Sequence, residues 1–336
     1  MSAILERIRR QALLRPQRLL LAEGGDERVL RAAERLVRER LAEVGVVGEV
    51  AAIRAAARRA GAQLTGVRLV DAQDARAIER TATALAAARG ERLDPAARAR
   101  YAADPLFQAA ALVRAGEADV LIAGAVRTTA DVLRAALWLI GLEAGSRLVT
   151  SFFLMVLRGA AGEERVFVFA DCAVVPDPTV EQLADIGVLA AEHYQRLTGA
   201  VAHTAFLSFS TRGSAEHARV EKVRAACRLA REKRPDLHFD GEMQLDAAIV
   251  PSVGARKAAD SVVAGHANVL VFPDLDSGNI GYKLVERLAG ASAIGPILMG
   301  LDRQANDLSR GCSADDIVGV ATIACALAAA RTAGHA

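Results

Sequence analysis

The feature that most constrains the fold of this chain is an alternation of short apolar runs with longer segments of helical periodicity. The strand-like runs lie at 18–22, 44–48 and 118–125; a glycine-containing turn follows the first, and the other two have a glycine at or near their ends. The helical segments lie at 27–43 and 128–137. Strands that alternate with helices are typical of βαβ units, so we predict a mostly parallel sheet with helices on both faces.

A second block of the same kind begins near residue 148. Its predicted strands are 165–170, 205–209 and 267–272, and a helix is predicted at 179–198. A chain of 336 residues is long enough for two domains. We predict two α/β/α domains with a cleft between them. Domain I would comprise 1–148 and 297–336, with the last helix returning to it, and domain II would comprise 149–296.

Composition excludes several classes of protein. A hydrophobic content of 52% excludes a disordered chain, and a net charge of +2 gives no nucleic-acid-binding footprint. The four cysteines form no CxxC pair, so no zinc set is indicated. The longest apolar run, 317–330, is too short to span a membrane, and residues 1–10 lack a signal-peptide core. We therefore expect a cytoplasmic protein without a metal, nucleic-acid or membrane partner.

The segment 306–313, with sequence NDLSRGCS, is the strongest candidate for a site. It follows a strand-like run at 293–300 and precedes a long apolar helix. Open α/β sheets bind ligands in loops at the carboxyl ends of their strands. Ser309 supplies a hydroxyl, and Arg310 can hold phosphate oxygens bidentately. A hydroxyl, a guanidinium and a nearby carboxylate are groups suited to acyl transfer to or from phosphate.

Asp316 has two interpretations. Ser313 and Asp316 have the spacing of a helix capping box, and spacing alone favours capping. The same position would place a carboxylate base at the mouth of the site.

Two further polar loops follow predicted strands. Residues 208–214 could wrap a phosphate or an adenosine group, or could simply cap the next helix. Residues 272–283 contain two glycines that allow close backbone approach. No P-loop and no strand-linked GxGxxG occurs, which argues against ordinary nucleotide binding.

Six segments between residues 128 and 313 resemble the phosphate acetyltransferase (phosphotransacetylase) family, and the resemblance as a whole covers most of residues 20–330. They are TTADVLRAAL (128–137), FADCAVVPDPT (169–179), LSFSTRGSA (207–215), DGEMQLDAAIVP (240–251), VFPDLDSGNIGYKLVERLAG (271–290) and NDLSRGCS (306–313). The length resembles the short form of the family, and residues 133–142 also resemble its ethanolamine-utilisation type.

The resemblance implies reversible conversion of acetyl-CoA and phosphate to acetyl phosphate and CoA. It implies a fold like that of isocitrate and isopropylmalate dehydrogenases, a homodimer, and no metal or organic cofactor. Coenzyme A, acetyl-CoA, phosphate and acetyl phosphate would be the ligands.

The resemblance also implies residue roles. Asp316 would be the base for the CoA thiol, Ser309 would stabilise the transition state, and Arg310 would bind the phosphoryl group. Further phosphate contacts would be Arg134 and Arg89. The implied contacts with CoA or substrate are Ser208, Ser210, Thr211, Gly278, Asn279 and Lys283. Cys312 would be a bystander, because thiolate attack in a ternary complex needs no covalent cysteine.

Three alternatives compete with this interpretation. The acyl group could be propionyl or butyryl, which depends on the volume of the acyl pocket. The chain could instead be a non-catalytic domain that binds acetyl-CoA or acetyl phosphate as a regulator. A dehydrogenase of the related fold would need a metal-binding acid set and a nucleotide site, and the sequence offers neither.

Overall fold

The structure is a computed structural model that describes residues 2–159 and 162–333, and it divides the chain into two compact units. We call the one formed by Glu6–Ala144 and the segment from Leu301 onward the parallel-sheet unit. The one formed by Gly145–Gly300, with the chain up to Leu5, is the mixed-sheet unit.

The described strands and helices follow in chain order. The strands are β1 (Gln17–Leu21), β2 (Ala42–Gly48), β3 (Arg68–Asp71), β4 (Val120–Ala123), β5 (Thr150–Arg158), β6 (Glu164–Ala170), β7 (His203–Leu207), β8 (His238–Met243), β9 (Val269–Val271), β10 (Ser292–Met299) and β11 (Gln304–Asp307). The helices are α1 (Ala3–Leu14), α2 (Glu27–Arg38), α3 (Val50–Ala60), α4 (Ala75–Arg89), α5 (Pro95–Ala102), α6 (Pro105–Arg114), α7 (Thr129–Ala135), α8 (Val180–Thr198), α9 (Ala218–Lys233), α10 (Leu245–Ile249), α11 (Pro251–Lys257), α12 (Leu275–Ala289) and α13 (Ala314–Ala333). A 3-10 turn at Gly90–Arg92 follows α4, and a π-helical turn at Ala136–Ile140 continues α7.

The parallel-sheet unit contains a sheet of order β11-β4-β1-β2-β3, in which all pairings are parallel. Leu19, Leu20 and Leu21 of β1 are buried at its centre, as expected for a strand with helices on both faces. Asp26 begins α2 by accepting hydrogen bonds from the backbone N–H groups of Arg28 and Val29. Helix α13 packs on α2 and on β11 in the same unit.

The mixed-sheet unit contains a sheet of order β10-β5-β6-β9-β7-β8. β6, β9, β7 and β8 pair in parallel, whereas β10 and β5 join this edge through antiparallel pairings. Together the two sheets confirm the predicted α/β class with mostly parallel strands. Among the described helices, none is long and apolar enough to cross a membrane.

The boundaries of the units differ from the predicted domain limits at three places. Residues 145–148, predicted in domain I, belong to the mixed-sheet unit. The chain up to Leu5 belongs to the mixed-sheet unit, because the Glu164 carboxylate accepts hydrogen bonds from the N–H groups of Ala3 and Ile4. Residues 297–300 also belong there, because residues 297–299 pair with 150–152 of β5. The return to the parallel-sheet unit therefore begins at Leu301.

Two element predictions were wrong for identifiable reasons. The helix predicted over 27–43 ends at Arg38, because Arg40 adopts a left-handed backbone (φ 56°) and β2 begins two residues later. The run at 293–300 does not lead directly into the candidate site. It is the antiparallel strand β10, and the short polar strand β11 lies between it and the loop that carries Ser309.

Candidate active site

The candidate site lies at the carboxyl ends of two neighbouring parallel strands. Strands β4 and β11 pair in register, with Ala123 opposite Asp307. The loops that leave them enclose a cavity of about 400 Å³. Its lining residues are Arg127, Thr128, Thr129, Ala130, Leu308, Ser309 and Arg310. The structure therefore brings Ser309 and Arg310 together with the start of the TTADVLR segment, at the position where open α/β sheets bind ligands.

Ser309 and Arg310 form an exposed turn. The Ser309 carbonyl accepts a hydrogen bond from the Cys312 N–H at 2.9 Å, and the Ser309 hydroxyl oxygen accepts one from the Gly311 N–H at 3.3 Å. Because that hydroxyl serves as the acceptor, its own proton can still be donated to a ligand.

Asp316 caps helix α13. Its Oδ2 accepts hydrogen bonds from the Ser313 N–H and hydroxyl, both at 2.8 Å, and the Asp316 N–H donates to the Ser313 hydroxyl at 3.1 Å. This is a capping box, the interpretation that spacing alone favoured. Both side-chain bonds go to Oδ2, and the exposed carboxylate retains Oδ1 for another partner. Asp316 is not among the residues that line the cavity, but it stands in the first turn of the helix that leaves it.

Three residues at this site were missed by sequence reasoning. Thr129 donates from its hydroxyl to Asp307 Oδ2 at 2.6 Å, and Asp307 is only 3% exposed. Burial raises the pKa of Asp307 to about 6, against the opposing effect of the Thr129 hydrogen bond. Arg127 lines the cavity and forms an ion pair with Asp104 at 2.9 Å. The sequence signal that could have indicated this part of the site is the Thr128-Thr129 pair, which follows the apolar run 118–125.

The two other predicted phosphate contacts have protein partners. Arg134, on α7, forms an ion pair with Asp131 at 2.7 Å. Arg89, at the end of α4, lies over the Trp138 ring at 4.8 Å from its centroid, an ordinary cation–π contact. Neither residue lines the cavity that Ser309 and Arg310 share.

The predicted CoA contacts at 208–211 lie in the mixed-sheet unit, after β7. Ser210 is buried and donates to Glu242 Oε1 at 2.9 Å, while Thr211 is buried and donates to Gln244 Oε1 at 3.2 Å. Ser208 is partly exposed and accepts from the Ser210 N–H. Burial raises the pKa of Glu242, but hydrogen bonds, of which the one from Arg224 has the largest effect, lower it to about 2. These partners favour a role for Ser210 and Thr211 within the loop over direct contact with substrate.

The other predicted CoA contacts lie on α12 of the same unit. Gly278 is buried, and a Cβ there would lie 2.2 Å from the Asp171 carbonyl oxygen, so glycine is required for packing. Asn279 donates to the Cys172 carbonyl at 3.0 Å and accepts from Lys283 Nζ at 2.8 Å. Lys283 is exposed and is the member of this set that can reach a ligand.

Cys312 follows the Ser309-Arg310-Gly311 turn and is buried. Burial raises the pKa of the Cys312 thiol, with Arg28 opposing and Asp316 adding to the shift, so Cys312 is poorly suited to act as a thiolate nucleophile. Among the described residues, no group of three or more His, Cys, Asp or Glu side chains is arranged to hold a metal ion.

Comparison with known proteins gives close relatives over almost the whole chain. The phosphate acetyltransferase of Acetivibrio thermocellus is 44% identical over 323 residues, covering 96% of this chain and 97% of that protein. A phosphotransacetylase from Streptococcus pyogenes superposes with a TM-score of 0.90 at 39% identity, covering 98% and 99% of the two chains. The EutD phosphotransacetylase from Staphylococcus aureus superposes with a TM-score of 0.88 at 33% identity, covering 97% and 98%.

The fold extends to a dehydrogenase, as the resemblance implied. A 4-hydroxythreonine-4-phosphate dehydrogenase from Klebsiella pneumoniae has a TM-score of 0.53 at 14% identity, over 93% of this chain and 98% of that one. The family model described as "Phosphate acetyl/butaryl transferase" matches residues 3–325. The chain belongs to the phosphate acetyl/butyryl transferase family.

Proposed function

We propose that this protein is a phosphate acetyltransferase, which interconverts acetyl-CoA and phosphate with acetyl phosphate and CoA. The observation that carries the proposal is the cavity at the ends of β4 and β11, where Ser309 and Arg310 meet Arg127 and Thr128. This equipment occurs in a chain 44% identical to a phosphate acetyltransferase over nearly its full length. An acyl phosphate carries its negative charge on the phosphoryl group, which is the group that two arginines would hold.

The proposed reaction is a direct transfer in a ternary complex. Asp316 takes the proton of the CoA thiol, and the thiolate attacks the carbonyl carbon of acetyl phosphate. The C–S bond forms, the C–O bond to phosphate breaks, and the bonding electrons leave with phosphate. A free thiol has a pKa of about 8.5, so a positioned base is worth roughly 10²–10⁴ in rate.

The Ser309 hydroxyl and the Arg310 guanidinium stabilise the charge that develops in this step. Ser309 can donate its proton to the oxyanion, because its oxygen already accepts from the Gly311 N–H. Arg310 is exposed at the cavity and neutralises the departing phosphate. Arg134 and Arg89 stay proposed phosphate contacts that would first have to exchange their protein partners. For CoA, the exposed Lys283 is the preferred contact among the predicted residues.

No metal or organic cofactor enters this proposal. Deprotonation of a thiol by a carboxylate and neutralisation of phosphate by arginine supply the acid–base and electrostatic parts of the chemistry. Coenzyme A takes part as a substrate. A longer acyl group is the second candidate, because the description of the family names both acetyl and butyryl transfer.

A homodimer is proposed through helix α12 and the neighbouring edge of the mixed sheet. Ile280, Leu284 and Leu288 are 57%, 51% and 81% exposed and recur every four residues, so they form an apolar stripe along one face. Strand β10 is the edge strand beside it. Light scattering should show a dimer that Leu284→Glu converts to monomer, whereas Leu14→Glu, at an exposed position on α1, should leave it intact.

A cytoplasmic location is also proposed, since all four cysteines are free and buried.

The function is tested by CoA-dependent thioester formation with acetyl, propionyl and butyryl phosphate. Turnover with acetyl phosphate at a kcat/KM well above that for the other two supports the proposal. A preference for butyryl phosphate would keep the mechanism and change the substrate. Binding of CoA without turnover of any acyl phosphate would refute the enzymatic function and favour a regulatory domain.

A further inference from the structure

Residues 22–28, which comprise the turn after β1 and the first two residues of α2, contact both loops that form the cavity. No functional role was predicted for this stretch, which joins the predicted strand 18–22 to the predicted helix 27–43. It contains a carboxylate that is 9% exposed, Glu23, and the guanidinium of Arg28, whose side chain is 30% exposed.

Glu23 holds the loop that leaves β4. Its Oε2 accepts hydrogen bonds from the N–H groups of Gly124 at 3.1 Å and Ala125 at 2.8 Å. Its Oε1 accepts from Val126 at 2.9 Å and Arg127 at 2.7 Å. An ionised carboxylate has about four acceptor positions, so four successive backbone donors occupy them all. Without this carboxylate, four buried or half-buried N–H groups would lack a partner.

Arg28 holds the loop that leaves β11. Its Nη1 donates to the carbonyls of Arg310 at 2.8 Å and Cys312 at 3.0 Å. Its Nη2 donates to the Ala125 carbonyl at 2.8 Å and to Asp26 Oδ2 at 2.8 Å, and its Nε donates to Asp26 Oδ1 at 3.1 Å. A guanidinium has five N–H donors, and these five bonds use each of them.

This arrangement distinguishes Arg28 from Arg310. Because its donors are all engaged by protein oxygens, Arg28 could bind a phosphate only by giving up its bonds to a loop or to Asp26. In Arg310, in contrast, the backbone carbonyl accepts the hydrogen bond from Arg28, and the side chain lies at the exposed turn. Residue 125 is held at both ends, since its N–H donates to Glu23 and its carbonyl accepts from Arg28. The two side chains thus connect the loops through one shared residue.

We propose that Glu23 and Arg28 are positioning residues that fix the two loops of the cavity relative to one another. They set where Arg310 and Ser309 stand relative to Arg127 and Thr128, and neither touches substrate. The inference rests on the proposed function for its consequence in catalysis. A displacement of about 1 Å in a catalytic group can lower the rate about 100-fold, which is the scale expected if the loops separate.

The test uses two conservative variants, each with a matched control of the same residue type on α2. Arg28→Lys keeps the charge but offers three donors in place of five, and Glu23→Gln keeps the shape but turns a donor toward two N–H groups. The controls are Arg31→Lys and Glu27→Gln, an exposed pair on α2. We expect kcat/KM to fall about 10- to 100-fold in the first two, as for other residues that orient a site, with kcat lowered at saturating substrate. The controls should stay within about twofold.

Two further measurements separate positioning from general stability and from failure of the proposed function. Hydrogen exchange of the amides at 124–127 should accelerate in Glu23→Gln while amides of β1 and β2 stay protected. The double variant should lose less kcat/KM than the product of the two single losses, because both residues act through residue 125.

Unchanged exchange at 124–127 would overturn the inference, whether or not the wild-type protein transfers acetyl groups. So would full kcat/KM in folded Arg28→Lys, or activity that falls only in proportion to the folded fraction. A wild-type protein with no turnover would refute the proposed function alone.

Discussion

Replacing Asp316 with asparagine separates the two roles that its position allows. In the structure Asp316 Oδ2 accepts two hydrogen bonds from Ser313 and completes the capping box of α13. The asparagine amide oxygen can accept the same two bonds, so capping would lose only the negative charge. That charge near a helix N-terminus is worth about 0.3–1 kcal/mol. For a domain of this size, such a loss lowers Tm by at most about 2–4 °C.

The catalytic role predicts a far larger loss. An amide cannot accept the proton of a thiol, and removal of a general base lowers kcat by roughly 10²–10⁴, or about 3–5 kcal/mol in barrier height. Thioester formation from acetyl phosphate and CoA measures kcat, and thermal unfolding of the same preparation measures Tm. We expect kcat to fall at least about 100-fold with little change in Tm.

Ser313→Ala is the matched control, since it removes the other half of the capping box and leaves the carboxylate. It should destabilise the protein by about 1 kcal/mol and keep most of the activity. The reasoning would be refuted if Ser313→Ala lost as much kcat as Asp316→Asn. It would also fail if Asp316→Asn lost less than about tenfold in kcat, because capping would then account for the residue.

Two other predictions follow from the same site. Arg310→Ala should raise KM for phosphate and acetyl phosphate at least about tenfold, while Arg303→Ala should not; equal KM values would remove Arg310 from phosphate binding. Asp307 has a native pKa of about 6, above its unfolded value near 3.9. Its ionisation therefore destabilises the fold above pH 6, by up to about 3 kcal/mol, and this penalty is relieved as the pH falls toward 4. Asp307→Asn should flatten that part of the stability–pH curve, and an unchanged slope would exclude Asp307 as its source.

The class of fold could be predicted because it depends on patterns within short windows. β1 and β2 reveal themselves by continuous apolar runs, and parallel strands covered on both faces require such runs. Strand β11 lacks this signal. Its sequence, Gln304–Asp307, is mostly polar and gives no apolar run. Residues 305–307 are nevertheless buried, because β11 pairs with β4 in the folded sheet. Sequence reasoning therefore attached the site to the wrong strand while placing Ser309 and Arg310 in the correct kind of loop.

The residues of the candidate site also fall into two groups, those that a local sequence motif reveals and those that only the folded structure brings together. Ser309, Arg310 and Asp316 lie within eight residues of one another, so a local motif was enough to find them. The residues that hold them cannot be found in that way, because Arg28 and the Arg310 carbonyl are 282 residues apart in the chain. Nothing in the sequence near either one indicates the bond. The order of the strands brings the turn after β1 beside the loop after β4, since β1 is the neighbour of β4, and Arg28 reaches from there to the loop after β11. Chemistry carried by a contiguous motif can therefore be predicted from sequence, whereas the geometry that makes it effective depends on the topology of the sheet.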